Sequence, residues 1–388
     1  MKLTTGPLTG IRVIEVAGIG PGPFCGMILA DLGADVVRVE RTSGGTTVLP
    51  AERDLLNRGK RSVAADLKDP ADLATVLALA ERADILFEGF RPGVAERLGI
   101  GPEACWEHNP ALVYGRMTGW GQDGPLAHTA GHDIAYIAPT GALAAIGEPG
   151  GPPQIPVNLL GDFGGGSLYL AVGLLAALHE ARASGRGQVV DAAIVDGVAH
   201  LTTMLHSLLS AGAWQDVRGC NLIDGGAPFY GVYQTSDGKY MAVGALEPQF
   251  YQAFVTRLGI DAGEIPQQDR ELWPQLRQRI ATAFRQRTQH EWTCAFEGSD
   301  ACVAPVLSLG EAPNHLHLRA RGTFIEHAGA TQPGPAPRFS RTPAAIPHPP
   351  CTPGQHTAEV MADWGVQLPR EPSCSHADDE RQTTEPYL

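Results

Sequence analysis

Three acidic or imidazole side chains and one group of cations stand out in this sequence for their chemistry. His132 lies in the loop motif Gly131-His132-Asp133. Its ring exchanges a proton near neutral pH, and it is either a hydrogen-bonding group of that loop or a base. Asp162 sits in Gly161-Asp162-Phe163-Gly164-Gly165-Gly166, ahead of an apolar helix. It suits a helix N-cap, yet glycines at a helix start each cost about 1 kcal/mol against alanine. Such a cost implies that something approaches the backbone closely, and bare N–H groups at a helix N-terminus stabilise a developing oxyanion. Glu247 precedes Pro248 at another helix start, where a partner for the helix dipole is the plain reading. The cations are Arg38, Arg41, Arg58, Lys60, Arg61, Lys68 and Arg91, all before residue 92. Any one of them reads as solvated surface; as a group they suit phosphate, because a guanidinium offers a rigid fork of donors.

The elements that must hold these residues alternate strand and helix. Ile11 to Val16 predicts a strand, followed by the turn Gly18-Ile19-Gly20-Pro21-Gly22-Pro23 and a helix through Met27, Ile28 and Leu32. Further strands are expected at 35–39, 85–87 and 112–114, with a helix over 71–82 between them. This rhythm predicts a parallel sheet covered by helices, with its ligand crevice at the carboxyl ends of the strands. One long helix is expected from near Asp162, then a strand at 188–190 and a helix after Asp191. Residues 222 to about 325 change character: a hairpin is expected around Ser236-Asp237-Gly238, then helices from Pro248 and over 272–284. We therefore divide the chain into a large domain at 1–200 with a linker to about 221, and a small α+β domain at 222–325. A C-terminal segment at 326–370 and a polar, disordered tail at 371–388 follow.

Composition narrows the function. Twenty-nine basic residues against 42 acidic ones leave a charge of −13, which opposes a nucleic-acid surface. The run Leu168 to Leu178 is too short to span a bilayer, so no membrane partner is expected. Seven cysteines without a CxxC pair fit a reducing cytoplasm and give no metal framework. His315-x-His317 lacks a carboxylate or cysteine at useful spacing, so no metal is expected. The Gly18/Gly20/Gly22 turn with Glu40 imitates a dinucleotide fingerprint, but Pro23 stands where the third fingerprint glycine belongs.

Taken together, the motifs GIGPGPFCGMILADLGADVVRVER (18–41), RGKRSVAADLK (58–68), FRPGVAERLGIGP (90–102), AGHDIAYI (130–137), NLLGDFGGG (158–166), GRGQVVDAAIVDG (185–197), GGAPFYGVYQTSDG (225–238) and VGALEPQFY (243–251) resemble the family III CoA-transferase superfamily. Within it they resemble the racemase branch, which has a histidine at His132 and a glutamate at Glu247. The transferase branches commonly have an aromatic residue at the first position and use the aspartate at Asp162 as a nucleophile. A departure occurs at Ala135, where the racemase branch usually has asparagine. The resemblance implies a Rossmann-like large domain and a smaller α+β domain, with two chains interlocking into a homodimer whose active sites lie where the chains meet.

The resemblance also implies the activity: interconversion of (R)- and (S)-2-methylacyl-CoA thioesters by 1,1-proton transfer through an enolate. His132 would take the proton from the S epimer, Asp162 from the R epimer, and Glu247 would orient His132. Asp162 must hold a proton when it acts as the acid, which burial promotes. Backbone N–H groups near Asp162 and the following glycines are expected to stabilise the enolate. CoA enters as part of the substrate, with no separate cofactor. Its phosphates would meet Arg38, Arg41 and Arg91, with Ala65, Asp66, Leu67 and Lys68 near the adenine. Gly131, Asp133, Ile134, Ala135 and Tyr136 would lie near the thioester. The rival activities are CoA transfer through Asp162, non-catalytic acyl-CoA binding, and a nicotinamide-dependent reaction.

Overall fold

The computed structural model describes residues 5–42, 49–261 and 266–367. The tail 371–388 and the last residues of the 326–370 segment lie outside the described residues. The centre of the large domain is a parallel sheet of β1 (Arg12–Val16), β2 (Asp35–Glu40), β3 (Arg61–Ala64), β4 (Ile85–Glu88), β5 (Val113–Thr118) and β6 (Val189–Ala193), in the order β3-β2-β1-β4-β5-β6. The order reverses between β1 and β4, so the crevice beyond the strand ends opens there. Strand β3 falls inside the basic stretch 58–68, where charged residues conceal the β pattern. Arg61 is nonetheless buried, its guanidinium 2.6 Å from Asp35 and 2.9 Å from Asp363.

Helices cover both faces. Pro21–Asp31 and Leu168–Ser184 pack Leu29, Leu170 and Leu174 against Val13, Ile85 and Val113. The opposite face holds Pro70–Ala80, Pro102–His108 and the C-terminal helix Thr357–Trp364. The Trp364 indole donates to Asp35 Oδ2 at 2.8 Å, closing the last helix among the described residues onto β2. Leu168–Ser184 continues directly from a wide π-helical turn at Leu159–Ser167. The combined stretch of 26 residues is apolar and long enough in composition to cross a bilayer, more than the run read from sequence. Leu170, Leu174 and Leu178 of this stretch are committed to the core, whereas Leu159, Leu168 and Val172 are exposed.

The small domain carries an antiparallel sheet of β7 (Tyr230–Gln234), β8 (Tyr240–Gly244) and β9 (Val303–Val306). Phe254, Phe284, Trp292 and Phe296 pack beneath it as an aromatic core. The hairpin β10 (Phe324–His327) and β11 (Ala330–Pro333) is tied to the large domain through Arg58, which donates to Gln332 Oε1 and Pro333 O.

Burial overturns most of the expected cationic surface. Lys60 is fully buried, 2.6 Å from Glu15 Oε2, and donates to Pro23 O at 2.9 Å. Arg38 is buried against Glu15 at 2.7 Å and Glu40 at 3.1 Å. Arg58 is buried against Asp31 at 2.6 Å. These cations neutralise interior carboxylates, and the expected phosphate role of Arg38 is corrected accordingly. Burial pushes the Lys60 ammonium below the usual lysine range while Glu15 opposes the shift. Removing one partner of a buried pair strands the other charge, so Lys60→Met is expected to cost about 3–5 kcal/mol. This is read as a lower urea midpoint at unchanged slope; a wild-type midpoint would mean that Arg38 alone neutralises Glu15.

Candidate functional site

The turn after β1 sets the floor of the site. Gly20 has φ +68° and caps the helix Pro21–Asp31, whose proline at the first turn loses no intrahelical donor. A side chain at Gly20 would begin 3.0 Å from Asp162 Oδ2, so Asp162 lies over the carboxyl end of β1, at the switch point. Phe163 stacks on Phe24 at 4.5 Å. The buried Ser167 hydroxyl donates to Pro21 O at 2.7 Å and Asp162 O at 3.0 Å, joining the wide turn to the helix start. Asp162, a carboxylate, lies over Gly20, where the backbone of a dinucleotide-binding turn would approach a pyrophosphate. Glu40 accepts from Ser62 Oγ at 2.6 Å and from Arg38, so it does not stand free for a ribose.

The glycines after Asp162 serve the protein's own packing. A Cβ at Gly197, in the helix Ile194–Leu201, would stand 1.9 Å from Gly165 O. One at Gly165 would stand 2.8 Å from Val198 N. The two segments cross at backbone contact, which replaces the expected approach of a ligand as the reason for Gly165. The expected enolate donors are also occupied: Asp162 N–H donates to Asp133 Oδ2 at 2.8 Å, and Phe163 N–H to Asn158 O at 3.3 Å.

His132 is the exposed residue that begins the short helix Asp133–Ile137, an element not anticipated from the sequence. The N–H groups of Ala135 and Tyr136 both return to His132 O. The structure brings His132 and Asp162 into electrostatic reach of each other. Burial pushes the half-buried Asp162 carboxyl up; Asn158, donating at 3.4 Å, and His132 oppose the rise, and Asp133 adds to it. Tyr136 lies within electrostatic reach of both Asp162 and Arg91, and burial pushes its phenol up. Its hydroxyl donates to Gly131 O, and its ring occupies the space beside Gly119 and Gly131, edge-on to Trp120.

Glu247 is not brought to this pair within one chain. It is exposed at the start of Pro248–Leu258, and among the described residues no hydrogen bond joins its side chain to His132. Its electrostatic neighbour is Cys302, in the small domain.

The remaining expected CoA contacts lie along the strand ends. Arg41 is exposed just beyond β2, and Asp66 and Lys68 are exposed beyond β3, with Leu67 half-buried and Ala65 buried between β3 and Asp66. Arg91 is exposed beyond β4. Ile134 is exposed, Gly131 and Ala135 are partly exposed, and Asp133 is 8% exposed with its carboxylate turned inward. Direct ligand contact through the Asp133 side chain is therefore replaced by contact with Asp162. Sequence reasoning missed Glu88, the last residue of β4, whose buried carboxyl is pushed up to about 7 by burial against the pull of the Phe90 N–H and Arg116. Nothing in the sequence marked Glu88.

The chain is similar to an alpha-methylacyl-CoA racemase of Mus musculus, 47% identical over 92% of this chain and 93% of the relative. A human alpha-methylacyl-CoA racemase is 45% identical over the same shares. A CAIB/BAIF family protein from Brucella suis has a similar solved structure, with a TM-score of 0.76 at 27% identity, covering 93% of this chain and all of that one. The family model for CoA-transferase family III matches residues 8–357. With the match spanning sheet, site and small domain together, the chain belongs to CoA-transferase family III.

Proposed function

We propose that this protein is a racemase of 2-methylacyl-CoA thioesters, an isomerase working by 1,1-proton transfer. The observation that carries this reading is the pairing of exposed His132 with a half-buried Asp162 whose carboxyl is pushed up by burial. Racemisation needs a proton removed from one face of the α-carbon and one delivered to the other. A neutral imidazole removes the S-epimer proton, and the Asp162 carboxyl, whose protonated form burial favours, delivers one opposite. In the reverse direction ionised Asp162 is the base and His132 the acid. Because the Asp162 and Phe163 N–H groups are occupied, the enolate oxygen is assigned to the N–H groups of Asp133 and Ile134, those of Ala135 and Tyr136 returning to His132 O. Transfer of CoA through Asp162 is the family-level alternative. His132 and Glu247 favour the isomerase, and the 45–47% identity to the two racemases supports it.

Arg41, Lys68 and Arg91 stand exposed at the strand ends, where the CoA phosphates would lie, with Ala65 to Leu67 beside the adenine. Binding energy from this remote handle positions the α-carbon between the two groups. A homodimer completes the reading. Leu159, Leu168, Val172, Leu201 and Met204 are exposed apolar residues on the segments around Asp162, and such a surface calls for a partner. A second copy placed there would bring its own Glu247 to His132. Free thiols at Cys25, Cys105 and Cys351 support a reducing, cytoplasmic setting.

In deuterated water without a carboxylate acceptor, the wild type is expected to deuterate the α-carbon of either pure epimer. His132→Ala is expected to abolish exchange from the S epimer and Asp162→Ala from the R epimer. CoA appearing on an added carboxylate, without α-deuteration, would establish the transferase instead. Arg91→Ala is expected to weaken acyl-CoA binding more at low than at high salt, because screening already diminishes the lost charge; unchanged affinity would remove Arg91 from the phosphate site. Co-expressed His132→Ala and Glu247→Ala chains are expected to recover activity that neither has alone, since one site of the mixed dimer is intact. Failure to complement would place both groups in one chain.

A further inference from the structure

Asp133 is the buried acid beside the proposed proton pair, and its geometry is unusual. It is 8% exposed, one residue after His132, and Oδ2 accepts from the Asp162 N–H at 2.8 Å. Its other oxygen, Oδ1, is buried and has no hydrogen-bond partner among the described residues. A half-satisfied buried carboxylate is costly. The backbone makes room for it: a Cβ at Gly161 would stand 2.1 Å from Oδ2. A solvent-facing substrate contact needs none of these features. A carboxylate linking the backbones that carry the two proton-transfer groups needs its burial, its bond to the Asp162 N–H and the room at Gly161.

We propose that Asp133 is a positioning residue: its carboxylate ties the Asp162 peptide to the backbone beside His132 and imposes its charge on the Asp162 carboxyl. This rests on the racemase reading. The like charge makes Asp162 harder to ionise, and it adds to the effect of burial. The groups facing Asp162 are Asn158 on its own wide turn, with His132, Asp133 and Tyr136 on the short helix and its cap; Gly20, across the β1 turn, brings no charge. Asp133 is therefore the anionic side chain among those around Asp162.

Two substitutions separate charge from position. Asp133→Asn keeps an oxygen to accept from the Asp162 N–H and removes the charge. In the R-to-S direction the rate rises as Asp162 loses its proton, so the acid limb of the pH profile is expected to move to lower pH. Asp133→Ala removes the acceptor too, and kcat is expected to fall about tenfold or more at unchanged KM, the scale of one hydrogen bond to a charged group. An acid limb unmoved in Asp133→Asn overturns the proposal. Where that variant does not fold, Asp133→Ser decides by the same limb, since it too keeps an oxygen and removes the charge. Wild-type protein that fails to exchange the α-proton of either epimer would sink the racemase reading itself. Wild-type exchange with an unmoved limb would sink only the role of Asp133.

Discussion

The site depends on one backbone contact, the crossing of Leu159–Ser167 over Ile194–Leu201 at Gly165 and Gly197. With Gly197 pressed against the Gly165 carbonyl, no side chain fits at either position without parting the segments. The crossing seats the wide turn deep enough for Ser167 to reach Pro21 O and for Asp162 to lie over Gly20. Interiors are close-packed and transmit displacement. A shift at Gly165 is therefore felt three residues away at the acid, and the glycine run makes sense as packing around Asp162 rather than as a ligand cradle.

The same economy appears beneath the floor. Lys60, at the end of the chain leading into β3, reaches under the helix Pro21–Asp31 to Glu15 on β1 and to Pro23 O. Gly26 permits this, since a Cβ there would stand 2.0 Å from Glu15 Oε2. The polar knot fixes the first turn of the helix from below while Ser167 fixes it from above. Conformational precision of this kind is what a proton transfer needs, because reacting groups must be held in near-attack geometry.

Much of this was legible in the residues, and the limits have physical causes. The β1 and β4 strands, the glycine–proline turn and the hairpin of β7 and β8 carry local signals in β-branched residues, Pro21 and Asp237-Gly238. Strand β3 does not, because its stabilisation comes from Asp35 and Asp363, far away in sequence. Nor does sequence distinguish a cation that neutralises an interior carboxylate from an exposed one; Arg38 is buried against Glu15, and Arg41, three residues on, is exposed. His132 and Asp162 were identifiable as chemical types and through the family resemblance, but their mutual reach depends on long-range packing. Asp133 read as a ligand contact because its burial is a tertiary fact.

One scaffold can serve both CoA transfer and epimerisation because the two reactions ask opposite things of the same carboxyl group. A nucleophile must be ionised, whereas the acid of an S-to-R epimerisation must carry a proton. Burial at the switch point and the neighbouring Asp133 charge both favour the protonated form of Asp162, while Asn158 and His132 favour the ionised one. The contributors sit on two segments, Asn158 on the wide turn of Asp162 and His132 with Asp133 at the start of the short helix. An aromatic residue in place of His132 would remove a stabiliser of the ionised form, but would also remove the second proton carrier that epimerisation requires. Under the racemase reading, the histidine's value lies less in tuning Asp162 than in providing that opposed face.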